Sequence, residues 1–123
     1  MFTYEQSTGR LLNDAGEVIG IGYSGAGENK NQPASQNLHD QGPIPQGTYT
    51  IGVPIPYTEE HGPFVLPLIP EPGNEMFGRS GFLMHGDAIH APGTASKGCI
   101  ILSRDVRNMV WESDDHRLQV VSD

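Results

Sequence analysis

Cys99 is the only cysteine in this 123-residue chain. A lone thiol excludes an internal disulfide, so the fold rests on its core alone, and this length is enough for one such core in one domain, 1–123. Positive charge is scarce: 7 Lys and Arg against 15 Asp and Glu give a net charge of −8, with no basic run. That balance argues against a phosphate-gripping nucleic-acid surface and against a polybasic contact with membranes. No stretch is long and apolar enough to insert across a bilayer. The first residues, Met1-Phe2-Thr3-Tyr4-Glu5-Gln6, carry neither a positive segment nor an apolar run. The expectation is synthesis in the cytoplasm without a signal peptide, so a substrate elsewhere requires a dedicated export machine. Internal repeats, low-complexity tracts and linkers are also missing.

What the chain has in excess is turn chemistry. Gly (16) and Pro (10) make 26 of 123 residues, about 21% against an average near 12%. This predicts many turns and short strands rather than a helical bundle. Residues 1–5, 10–12 and 18–23 read as three strands of a meander, separated by Ser7-Thr8-Gly9 and Asn13-Asp14-Ala15-Gly16. Residues 24–40 are polar and rich in Gly, Asn and Gln, which predicts a long surface loop. Gly42-Pro43-Ile44-Pro45-Gln46-Gly47 is a rigid turn into a β-branched strand at 48–53. The proline-broken region 54–73 predicts one strand at 64–69, on an edge because of its prolines. Residues 82–85 and 99–102 read as short strands, and 118–121 as a last one. Between them Ser103 is an N-cap and Asp105 a first-turn acid for a helix over Arg104–Glu112, with Val106, Met109 and Val110 facing inward.

The chemistry concentrates between Gly81 and Leu102. Cys99 follows Gly98, which frees the backbone for an unusual conformation, and Lys97, whose charge would lower the thiol pKa. His85 ends a strand fourteen positions earlier and is the candidate base. The Gly86 carbonyl or the Asp87 carboxylate would orient it, and N–H groups around Gly98 and Cys99 would form an oxyanion hole. The competing readings are a buried structural cysteine and a metal site of His85, Asp87, His90 and Cys99, which meets no ordinary zinc spacing. Arg79 would bind a substrate carboxylate or pair with an acidic neighbour. His39, His61 and His116 lie in polar stretches and are expected to face solvent.

The run Phe82-Leu83-Met84-His85-Gly86-Asp87, followed by Ser96-Lys97-Gly98-Cys99-Ile100, resembles the catalytic signature of L,D-transpeptidases of the YkuD type. Tyr4-Glu5-Gln6-Ser7-Thr8-Gly9-Arg10-Leu11, Gly22-Tyr23-Ser24-Gly25 and Gly42-Pro43-Ile44-Pro45-Gln46-Gly47-Thr48-Tyr49 extend the resemblance to the type VI-secreted effector branch. Lys97 stands where the general family has a second histidine, and Ile101 where it has Arg or Asn. The resemblance implies a mainly β, YkuD-like sandwich or barrel with one short helix after the cysteine strand. It implies no cofactor and no metal. Cys99 would be the nucleophile, His85 the base and Gly86 its orienter, with Ser96, Lys97 and Gly98 shaping the oxyanion loop. Arg79, Asp87 and His90 are the candidates for substrate contact. The implied reaction is L,D-carboxypeptidase or D-amino acid exchange chemistry on peptidoglycan tetrapeptide stems, in the periplasm of a target bacterium. The producing cell would then need an immunity protein. The rivals are a papain-like or NlpC/P60-like cysteine peptidase, which needs a histidine after the cysteine and has only His116 to offer, and a non-catalytic cell-wall-binding or structural module of a secretion or phage particle.

Overall fold

Short strands separated by turns are what the glycine and proline content dictates. The computed structural model, which describes residues 1–123, contains ten of them. They are β1 (Phe2–Glu5), β2 (Arg10–Leu12), β3 (Val18–Ile21), β4 (Tyr23–Ser24), β5 (Gly47–Ile51), β6 (Ile55–Thr58), β7 (Gly62–Pro70), β8 (Leu83–His85), β9 (Ile100–Ile101) and β10 (Arg117–Val121). One helix, α1 (Arg104–Glu112), lies between β9 and β10. The protein is mainly β, with a mixed sheet in the order β3-β2-β1-β10-β5-β7-β8-β9-β4 and β6 on a second partner face of β7. Only β1 with β10 and β8 with β9 are parallel.

The two ends of that path are consecutive in the chain. β3 and β4 are joined by Gly22 alone, so the sheet rolls until its first and last strands meet there. The expected strand at 18–23 is therefore two strands on opposite ends of the sheet. Gly22 permits the switch because the backbone of β9 passes directly against it: a Cβ there would lie 1.7 Å from the Ile101 carbonyl oxygen. No residue but glycine fits.

Two other expectations are corrected. β7 is internal, pairing with β5, β6 and β8, and β6 is a strand the prolines concealed. The prolines of β7 act through their carbonyls, which need no N–H: Pro67 O accepts from Gly52 N at 2.8 Å, and Pro63 O accepts from Arg107 Nη2 at 3.1 Å. On α1 the cap is as expected, with Ser103 Oγ accepting from Val106 N. Val106 and Val110 are buried, but Met109 is 47% exposed and Arg107 takes the inward place at 3%.

The interior is a cluster of 16 buried residues, among them Tyr4, Leu11, Tyr49, Leu66, Met84, Ile100, Val110 and Leu118. Apolar burial of this kind is the dominant favourable term of the fold. The expected loop 24–40 begins in β4 with buried Ser24 and Gly25; beyond them it contains two single 3-10 turns, Gly27–Asn29 and Pro33–Ser35, and runs over the surface as expected.

Candidate active site

Parallel strands need a long crossover between them, and residues 86–99 are that crossover for β8 and β9. Met84 pairs with Ile100 and His85 with Ile101. Met84 and Ile100 are fully buried in the core. Side chains alternate along a strand, so His85 and the residue before Ile100, which is Cys99, project from the opposite face, two register positions apart. Both line one cleft of about 1380 Å³. The spacing of His85 and Cys99 in the chain is thus the length of a parallel crossover.

His85 is 2% exposed. Its Nδ1 lies 2.9 Å from Gly86 O. A carbonyl only accepts, so Nδ1 carries the hydrogen and Nε2 bears a lone pair. That Nε2 is buried and has no hydrogen-bond partner, the Cys99 thiol included. Burial lowers the His85 pKa from its ordinary value; the Gly86 bond opposes this, His61 and Arg107 reinforce it, and Glu60 weakly opposes it. Burial pushes the half-buried Cys99 thiol up to about 11, against a downward pull from the Leu83 main chain and Arg79. The resting pair is a neutral thiol and a neutral imidazole.

The loop that presents Cys99 is held by buried polar side chains. Ser96 Oγ donates to Cys99 O at 2.6 Å and accepts from Gly98 N at 3.0 Å and from Gly25 N at 2.9 Å. Ser24 Oγ donates to Gly98 O and accepts from Ile44 N, each at 2.8 Å. Gly98 has φ +141°, and a Cβ there would stand 2.6 Å from Arg79 Nη2. The Gly98 N–H, one of the two donors expected for an oxyanion hole, is committed to Ser96.

Arg79 is 7% exposed and donates to the carbonyls of Gln36, Gly42, Pro43 and Lys97, at 2.6 to 3.2 Å. The acidic neighbour foreseen for it is not paired with it; its guanidinium is spent on these carbonyls at the cleft wall. Lys97 is exposed, and the cation acting on the thiol is Arg79. Asp87 turns away from His85. It accepts from Tyr23 Oη at 2.6 Å, Ala88 N at 2.8 Å and Gly93 N at 3.0 Å. Slight burial would raise its pKa, but these donors hold it below the ordinary carboxylate value. Tyr23 Oη also accepts from Ala95 N at 2.9 Å, which pins both ends of the crossover. His90 is exposed on the cleft wall. No group of three or more His, Cys, Asp or Glu stands where it could hold a metal ion.

Three residues outside the expected set shape the site. Arg107, buried beneath β8, donates to Leu102 O, Phe64 O and Pro63 O. Ser24 clamps Gly98. His61 is not solvent-facing as expected; its ring packs on His85 with centroids 4.2 Å apart. Their sequence signals are slight, because each acts across a long chain separation. His116 is also half-buried, stacked on Trp111 at 4.1 Å and absent from the cleft, which removes the histidine a papain-like arrangement would need. His39 is exposed as expected, its Nε2 2.8 Å from Phe77 O.

No helix is long and apolar enough to cross a membrane. No curated protein and no solved structure gives a significant match to the chain. A family model, the Tlde1 domain, matches residues 20–122, which includes every residue of the cleft described above. The chain belongs to the Tlde1 domain family, a family of type VI secretion effectors related to L,D-transpeptidases.

Proposed function

We propose that the protein is a cysteine acyltransferase of the peptidoglycan stem, acting as an L,D-carboxypeptidase or D-amino acid exchange enzyme in the periplasm of a target bacterium. The observation that carries this reading is the His85 ring. Its Nδ1–H is fixed on Gly86 O, and its basic Nε2 is buried, without a partner, on the strand face that Cys99 shares. An unpaired buried acceptor is costly to maintain, about 1–3 kcal/mol, and a base awaiting a proton explains it. The lone thiol suits an oxidising compartment, having no internal partner.

Because the resting pair is neutral, His85 acts as a general base during attack and does not hold a preformed thiolate. Cys99 Sγ attacks the carbonyl of the L-centre of a tetrapeptide stem while its proton passes to Nε2. With the Gly98 N–H committed to Ser96, the oxyanion falls to the Cys99 N–H. Collapse breaks the amide bond, Nε2–H protonates the departing D-alanine amine, and a thioester remains on Cys99. Water, deprotonated by His85, hydrolyses the thioester; a D-amino acid amine in its place gives exchange. Trimmed or exchanged stems cannot donate to later cross-links. A lowered His85 pKa keeps the base neutral into mildly acidic conditions, so activity extends below the ordinary imidazole range.

Incubation with purified tetrapeptide muropeptides, with and without an added D-amino acid, tests this by mass spectrometry. Loss or replacement of the terminal D-alanine is expected, and unaltered tetrapeptides at all enzyme concentrations would refute it. In a producing cell the same cleft requires a covering immunity protein. Co-purification of such a partner should block labelling of Cys99.

A further inference from the structure

The turn between β6 and β7 hangs over the cleft and carries Glu59, Glu60 and His61. It is closed by His61 N donating to Thr58 Oγ1 at 2.8 Å. β7 pairs with β6 on one side and β8 on the other, so the same strand fixes both the turn and His85. The His61 ring meets the His85 ring at a centroid distance of 4.2 Å and a tilt of 30°. This is contact distance for two aromatic rings. The His61 side chain is 20% exposed, whereas His85 beneath it is 2% exposed. A base in a cleft wall is therefore roofed by a second imidazole.

We infer that His61 is a positioning residue for His85, holding the ring with Nδ1 on Gly86 O and Nε2 in the cleft while keeping it uncharged. This rests on the reading of His85 as the base. Three charged or titratable groups face His85: His61 and Glu60 from the β6–β7 turn, and Arg107 from α1. Cys99 lines the same cleft, ahead of β9. Positive charge on His61, added to the Arg107 cation, opposes protonation of His85; Glu60 favours it. His61 is half shielded and retains a water-exposed edge, with Glu60 Oε2 3.8 Å from its Nε2.

Two variants separate its contributions. His61→Phe keeps a ring over His85 and removes the charge; His61→Ala removes both. The first readout is NMR titration of the His85 ring carbon–hydrogen signal, assigned by its absence in His85→Gln, and it needs no substrate. The His85 signal is expected to titrate at higher pH in His61→Phe and higher still in His61→Ala, whose ring is open to water. The second readout is the muropeptide-trimming rate at about pH 5.5 relative to about pH 7.5, where His61→Phe should lower the ratio by about threefold or more. A His85 titration identical to wild type in both variants would overturn the inference, as would an unchanged rate ratio. Should the wild type trim no muropeptide, the proposed reaction fails while the NMR arm still decides the role of His61.

Discussion

The two halves of the sheet are built by different physics. In β1, β10, β5 and β7 the strands hold registers of three or four pairs, and their inward side chains are Tyr4, Leu118, Val120, Tyr49 and Leu66. In β8, β9 and β4 each pairing spans two residues, and Arg79, Arg107, Ser24, Ser96 and Tyr23 supply the missing order through hydrogen bonds to loop backbone or to Asp87. Apolar packing is non-directional and tolerates small shifts. A buried polar network fixes atoms but fails when one member is lost. The half that holds Cys99 and His85 is the half whose geometry depends on single side chains.

The sharpest way to break the comparison is Arg79→Met, which leaves four main-chain carbonyls without their donor. A loss of about 3–5 kcal/mol in a denaturant titration is expected, with Cys99 labelling slowed in the molecules that remain folded. Leu118→Ala in the other half should cost about 2–4 kcal/mol by the same titration. Its activity per folded molecule should match wild type, because Leu118 does not line the cleft. Ser96→Ala strips partners from Gly98 N, Gly25 N and Cys99 O. It should cost about 1–3 kcal/mol and slow acylation about tenfold through misplacement of the thiol. The smallest effect belongs to Lys97→Ala. Its side chain is exposed and no shift of the thiol traces to it, so stability should move by less than about 0.5 kcal/mol and the rate of Cys99 alkylation by less than about twofold.

The comparison also explains what was legible beforehand. Local signals were readable: the β-branched run into β5, the Ser103 cap, the Gly-Cys junction, and a histidine one crossover upstream of the cysteine. The internal place of β7 was not, because prolines look like edge residues until their carbonyls find donors such as Gly52 and Arg107. Nor was the break at Gly22, which follows from the sheet rolling back onto itself. Ser24 meets Gly98 across 74 positions and Arg107 meets Phe64 across 43, so no window of sequence contains either contact. Lys97 beside the cysteine suggested the activating charge. Burial instead places Arg79 beneath the loop and Lys97 in water.

The most direct test of the Cys99–His85 pair is the intact mass of the protein after brief exposure to a tetrapeptide stem. A covalent adduct on Cys99, with the mass of the stem less its terminal D-alanine, is expected in the wild type and absent in both Cys99→Ala and His85→Ala, with folding preserved. An adduct that forms equally well in His85→Ala, or trimmed product appearing with Cys99 replaced, would contradict a thiol nucleophile served by that buried imidazole.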